Sequence, residues 1–473
     1  MLLRQTLLYL PAQLLGPMAL FVAGVVWTHL MAPEPYGALM LVMAMQEFVF
    51  AFGLAWLSLT VLRYRDTLER SESAERFRRA EAALLYASII VQTIAVWIVL
   101  RLIGRATPEL VGAASLFIVT RSLLSHFADR VRAGGDIAGY TPSQIAGPVL
   151  GFAAALLATH MYGPTPAIAL AGYAIIQSAL LPMIWIRSGA IFIPGAPTEA
   201  LLKPLREYGA PLLLISVATW VCINGIRLVV DVIDGAVALG LISVGWGLGQ
   251  RLASTVAMLV TAAAFPLAVK AFNAGDRSGA MDQIARNGAL LVALLAPALV
   301  GLVLVNESVV NLLIGEEFQS ATIAILPLAA LSGVLRCVRM HYADQAFLLH
   351  ERTGFMLAGT VAEAVLTIAF AIAGSFIGGV YGAVAGATIA HGLVMIATFV
   401  LAVRMLDLRI LWGDFARIGV ATTAMAAAVL AMPLDHSAAR LIATVAVGAA
   451  VYGAALLALF PEMGWKLRSA IRA

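Results

Sequence analysis

The sequence predicts an all-α integral membrane protein with about 14 transmembrane helices. Three observations predict it. Of 473 residues, 62% are hydrophobic and 12% charged, against about 25% charged in a soluble domain. The apolar residues gather into runs long enough to cross about 30 Å of hydrocarbon. The Lys and Arg residues alternate in density from one inter-run segment to the next, which is the asymmetry that orients membrane helices.

In order, the runs occupy about 7–31, 36–62, 82–103, 109–128, 142–160, 165–186, 208–230, 236–269, 287–305, 321–349, 353–375, 380–403, 417–433 and 440–460. The first mimics a signal peptide but continues to about Met31. That is too long for such a segment, so it reads as an uncleaved span. Pro11, Gly16 and Pro17 predict a break or kink within it. The eighth and tenth runs exceed the usual ~20 residues and should tilt or protrude.

With the N-terminus inside, 22 of the 30 Lys and Arg lie on inner segments, three on outer loops and five within spans. Both termini are then cytoplasmic, which requires an even number of spans. The inner segment 63–81 mixes six arginines with five acids and predicts a solvated helical extension. Segment 188–207 holds Pro194, Pro197 and Pro204 and reads as a cytoplasmic linker. It separates an N-lobe, 1–187, from a C-lobe, 208–403, followed by a C-terminal helix pair, 404–473. Tyr36-Gly37 and Leu239-Gly240 open the second and eighth spans, 203 positions apart, a thin echo of repeated lobes. The outer loops reach about 15 residues at most, too short for an extracytoplasmic domain.

Charges inside the runs define the candidate site. Arg121, Arg227, Arg251, Arg336 and Arg339 are the five cations. Ser332, Arg336 and Arg339 fall within about 60° of arc at 100° per residue. Arg336 is about 13 residues, or roughly 20 Å, from either end of its run, beyond the reach of a snorkelling side chain. A charge that deep must face a bundle interior or a water-filled cavity. Glu47, Glu363 and Asp344 are the buried-span acids. His126, His341 and His391 read as hydrogen-bonded helix contacts, since their spacing fits no metal motif. Cys222 and Cys337 read as small buried hydrophobes. No cofactor is expected.

Several stretches then carry a resemblance. Residues 33–65, PEPYGALMLVMAMQEFVFAFGLAWLSLTVLRYR, supply Glu34, Tyr36, Gly37, Gly53, Leu54 and Arg63 in the order with which bacterial polysaccharide transporters open. IRLVVDVIDGAVALGLISVGWGLGQRLAS, with Asp231 and Gly240, is similar to the start of their second lobe, although Leu241 replaces the usual aromatic. AAAFPLAVKAFNAGD resembles their eighth span and its loop, and NLLIGEEFQSATIAILPLAAL their Gly315, Phe318, Ala321 pattern. The chain thus resembles the Wzx-type flippase branch of the multidrug/oligosaccharidyl-lipid/polysaccharide exporter superfamily.

The resemblance implies two six-helix lobes around a central cavity, with an extra helix pair. It implies that an undecaprenyl-pyrophosphate-linked oligosaccharide moves from the cytoplasmic to the periplasmic leaflet of a bacterial inner membrane. Alternating access would drive it, for lipopolysaccharide or exopolysaccharide synthesis. Partners would be that glycolipid, membrane lipids, and polymerase and export machinery, with no nucleic acid. An anionic head group needs a cationic path, and arginine binds phosphate oxygens while staying charged. Arg251, Arg336 and Arg339 are the leading ligands. Arg121 is a further candidate, unless it snorkels, and so is Arg227, unless it pairs with Asp231. Intramembrane ion pairs with Glu363, Asp344 or Glu47 are the competing arrangement. The same carboxylates could couple Na⁺ or H⁺. Membrane voltage alone supplies roughly 4–5 kcal/mol per 100 mV for two charges, so coupling is not required. A cation-coupled multidrug exporter and a lipid II flippase share the implied fold. A membrane-embedded polymerase or ligase is disfavoured by the short outer loops and the lack of a nucleophile–base set.

Overall fold

The computed structural model describes residues 2–71, 74–432 and 437–461. Among the described residues every regular element is helical. Twelve helices are long and apolar enough to cross a membrane. One of these, Thr353–Leu406, is two helices joined at Gly378 and Gly379, and the first helix adds the apolar stretch Met18–Leu30. All fourteen predicted spans are therefore present as helices in a multi-pass membrane protein. Contacts divide the chain into two units, Met1–Asn224 and Gly225–Ala473.

The first unit holds α1 (Leu2–Leu30), α2 (Pro33–Phe50), α3 (Ala74–Leu102), α4 (Pro108–Ala133), α5 (Ile137–Tyr162), α6 (Pro166–Ser188) and the start of α7 (Ala210–Ile233). α1 is helical straight through Pro11, Gly16 and Pro17 rather than broken there. α2 continues through a π-helical turn, Ala51–Ala55, into Trp56–Ser71. The wider turn leaves the Gly53 carbonyl free to accept from Trp56 Nε1 at 3.1 Å and from Ser88. Helix starts follow their sequence signals. Thr107 accepts from the Leu110 amide and Thr165 from that of Ile168, both at 3.3 Å, with Pro108 and Pro166 in the first turn.

The first core joins Leu54, Phe77, Leu124, Phe127 and Ile184 to Leu201 and Leu205. The last two come from the predicted linker. Its backbone is pinned as well, since the Gly195 amide donates to Arg79 O at 2.8 Å and the Tyr86 hydroxyl to Phe192 O at 2.9 Å. Segment 188–207 is thus packed on the first unit, and the division between units falls inside α7. There Trp220 donates to Ala44 O at 2.9 Å and lies against Phe48.

The second unit continues with α8 (Gly235–Asn273), α9 (Arg277–Leu313) and α10 (Glu316–Val338), which passes through a π-helical turn, Arg339–Ala343, into Asp344–Leu349. Arms 353–377 and 380–406 are α11 and α12. Gly379 turns the chain at φ 55°, in the left-handed region that glycine enters without penalty. Beyond the turn the arms touch backbone to backbone, Gly374 on Gly382 and Gly386 on Phe370, with no room for a Cβ. Small residues permit such close antiparallel packing where lipid supplies no hydrophobic drive. α13 (Trp412–Leu430) and α14 (Ala438–Leu459) dock on α9 through Val305, Met425, Val429 and Tyr452. The Tyr452 hydroxyl donates to Ala293 O at 2.5 Å.

Candidate functional site

A buried charge cluster lies where α10, α11 and α12 of the second unit meet. Arg339 is fully buried and donates to Glu363 at 2.7 Å and to Asp344 at 3.0 Å. Glu363 is also fully buried. Arg336, 6% exposed, lies 3.7 Å from the same Glu363 oxygen without hydrogen bonding to it. Its Nε and Nη2 are buried with no hydrogen-bond partner. The π-helical turn follows directly, and Gln345 donates to the Met340 carbonyl at 3.2 Å. Such turns concentrate at functional sites.

α12 and α8 complete the cluster. His391 is buried, with Nδ1 2.6 Å from Ser332 Oγ and Nε2 3.9 Å from Glu363 Oε1. Ser332 accepts from Gln250 Nε2 at 3.2 Å. Glu363 Oε1 and His391 Nε2 have no hydrogen-bond partner. Buried polar groups are ordinarily satisfied, and this cluster leaves donors and acceptors open.

The structure brings together four of the eight predicted site residues: Arg336, Arg339, Asp344 and Glu363. It adds Gln250, Ser332 and His391. Arg251 is exposed on α8 and makes no ion pair among the described residues. Arg227 is half-buried, its guanidinium against Gly247. In the first unit Glu47 is exposed in the last turn of α2, and Arg121 is half-buried within its electrostatic reach. The three histidines are hydrogen-bonded helix contacts: His126 to Ser58 at 2.8 Å, His341 to Thr261 at 2.8 Å, and His391 to Ser332. Both cysteines are buried, and neither forms a disulfide among the described residues.

A second cluster corrects the solvated reading of segment 63–81. Arg130 is fully buried and Glu81 is 3% exposed. Arg130 pairs with Glu81 and donates to Glu69 at 3.1 Å and to Ser188 O at 3.2 Å. His126 Nε2 is 2.8 Å from Glu81. The signal was periodic: Phe77, Glu81, Leu85 and Ser88 share one helical stripe, and all four are buried. In the same segment Arg65 donates to Arg130 O at 2.5 Å, which ties the end of α2 to α4.

The helix count, the two units and the buried intramembrane charges define a multi-pass helical membrane protein with ions held among its spans. Residues 26–323 match the family described as polysaccharide biosynthesis protein, and the chain belongs to that family. No curated protein matches. Among solved structures, the chain is similar to the lipid II flippase MurJ in an inward closed conformation, with TM-score 0.73 and 12% identity over 98% of this chain and 99% of that one. It is also similar to an inward-facing multidrug resistance MATE family transporter of the MOP superfamily, with TM-score 0.61 and 16% identity over 85% and 98%. A MOP superfamily transporter from Pyrococcus furiosus gives TM-score 0.54 and 15% identity over 85% and 95%. At these identities the likeness is one of fold.

Proposed function

We propose that the protein is a flippase that moves an undecaprenyl-pyrophosphate-linked oligosaccharide from the cytoplasmic to the periplasmic leaflet of a bacterial inner membrane. It works by alternating access, with both termini cytoplasmic, and serves surface-polysaccharide synthesis. The supporting observation is Arg336. It is 6% exposed, and two of its buried nitrogens have no hydrogen-bond partner. A buried donor left unsatisfied costs about 1–3 kcal/mol, more when charged, so its retention favours an acceptor that arrives during the cycle. A phosphate oxygen is that acceptor. Arg251, exposed and without an ion pair in α8, is the second head-group ligand. Arg339 follows once its carboxylates move. Arg121 and Arg227 are further candidate head-group ligands, and Glu47, Asp344 and Glu363 are the carboxylates through which H⁺ or Na⁺ would couple.

The test is in-cell transport by Arg251→Ala, Arg336→Ala and the double variant. The lipid-linked oligosaccharide should accumulate in the cytoplasmic leaflet, with transport down at least about tenfold per lost charge-assisted contact and protein levels unchanged. Unaffected glycolipid transport with altered drug resistance would instead place the chain with multidrug exporters.

A further inference from the structure

The two units repeat one plan, and the repeat isolates three residues. Arg121-x-x-x-x-His126-Phe127-Ala128-Asp129 in α4 returns 215 positions later in α10 as Arg336-x-x-x-x-His341-Tyr342-Ala343-Asp344. The contacts repeat with it. His126 Nδ1 meets Ser58 Oγ of the α2 rod at 2.8 Å, and His341 Nδ1 meets Thr261 Oγ1 of α8 at 2.8 Å. Ser58 and Thr261 are 203 apart, the offset of Tyr36-Gly37 and Leu239-Gly240. Gly172 of α6 presses on Ala155 of α5 just as Gly386 of α12 presses on Phe370 of α11.

With α10 and α11 matched at the offset of 215, and α12 at the offset of 214 that relates Gly172 to Gly386, Arg339 corresponds to Leu124, Glu363 to Pro148 and His391 to Gln177. The first unit closes without an ionisable group at any of the three. Leu124 is 2% exposed and faces Gly147 of α5, and Gln177 accepts from the Thr120 hydroxyl at 2.7 Å. The helix trio therefore does not need the Arg339–Glu363–His391 set in order to fold. Burying ions is costly compared with apolar packing, yet the second unit places two ions and a histidine at matching sites on three helices, where they meet.

Their geometry defines what they do. Gln250 donates to Ser332, so the Ser332 hydroxyl is free to donate to His391 Nδ1. In the tautomer in which Ser332 donates to Nδ1, the imidazole proton sits on Nε2, 3.9 Å from Glu363 Oε1. The other carboxylate oxygen faces Arg339 and Arg336. Glu363 thus stands between two cations and one open N–H donor, with Asp344 also on Arg339. We propose that Arg339, Glu363 and His391 form a partner-exchange switch, in which a phosphate anion displaces Glu363 from the arginines and His391 Nε2–H receives the carboxylate. No bond is made or broken, and one anion replaces another on the cations. His391 is a positioning residue. The inference rests on the flippase reading and names the residues that regulate its head-group site.

Two measurements test it on the purified full chain. Inorganic pyrophosphate is titrated against wild type, Glu363→Gln and His391→Gln. Freed arginines should make Glu363→Gln bind about 10- to 100-fold tighter, and loss of the receiving donor should make His391→Gln bind about tenfold weaker, the usual range for coupled sites. Unchanged affinity in both variants overturns the switch. The second is a quadruple variant, Arg339→Leu with Asp344→Asn, Glu363→Gln and His391→Gln, which leaves no partner of Arg339 charged, reconstituted in proteoliposomes holding a polyprenyl-pyrophosphate oligosaccharide. It should stay monodisperse and lose flipping. Flipping at the wild-type rate, or failure to fold, overturns the proposal. If wild type itself does not move the glycolipid, the flippase reading falls, and the pyrophosphate titration still decides the exchange.

Discussion

Arg339 closes on Glu363 through a 2.7 Å hydrogen bond, whereas Arg336 stands 3.7 Å from the same carboxylate oxygen and does not bond it. Two arginines one helical turn apart therefore play unequal parts. Removing Arg339 strands Glu363 and Asp344 as buried, uncompensated charges. Arg339→Ala should cost about 3–5 kcal/mol of stability. Arg336→Ala gives up no hydrogen bond to Glu363 and should cost less than about 1 kcal/mol. Unfolding in detergent, followed by melting temperature, measures the difference.

The Arg130–Glu81 pair predicts a rescue. Arg130→Met alone leaves Glu81 buried beside His126 and should destabilise by about 3–5 kcal/mol. Arg130→Met combined with Glu81→Gln should recover most of that loss, because neither charge then remains buried alone. A double-mutant cycle on folded yield and melting temperature checks the sign.

Glycine positions separate into two classes. A Cβ at Gly386 would meet the Phe370 backbone, and one at Gly374 would meet that of Gly382. Neither neighbour is a side chain that can swing away. Gly386→Val and Gly374→Val should therefore abolish most folded protein, whereas Gly413→Ala, with open space around it, should behave as wild type. Fluorescence-detected size exclusion of the three variants distinguishes them.

Asp136 predicts an acid response. It caps α5 by accepting from the Gly139 amide at 2.9 Å and pairs with Arg187 at 2.9 Å. The Gly139 hydrogen bond first, and Arg187 after it, hold its carboxyl below the usual range. A depressed folded value means that the contribution is present above the unfolded pKa of about 3.9 and is lost as pH falls through the folded one. Wild type should lose melting temperature below about pH 4, and Asp136→Asn should flatten that limb and melt slightly lower at pH 7. A pH series of thermal melts on both proteins gives the comparison.

Hydropathy and charge alternation made the helices legible because each span must satisfy its own backbone in lipid. Even the break between α11 and α12 was readable, in the gap between the run ending near 375 and the one beginning near 380. The site was legible only in part. Arg336, Arg339, Asp344 and Glu363 stood out as ions in apolar runs, and the structure gathers them. Ser332 lay on the arginine stripe and His391 read as a helix contact, but neither they nor Gln250 could be placed in the site, because three helices distant in sequence must meet before a neutral side chain acquires a role. Glu81 and Arg130 were hidden differently. Their segment is so charged that composition suggested water, and only the stripe from Phe77 to Ser88 showed the inward face.

The two-glycine turn at Gly378 and Gly379 also bears on motion. With Gly374 on Gly382 and Phe370 on Gly386, backbone meshes with backbone, and the arms can swing together like a paddle but cannot slip past one another. Glu363 on one arm and His391 on the other therefore travel as luggage on the same blade. Relative motion within the cluster therefore falls between that blade and α10, which carries Arg336 and Arg339.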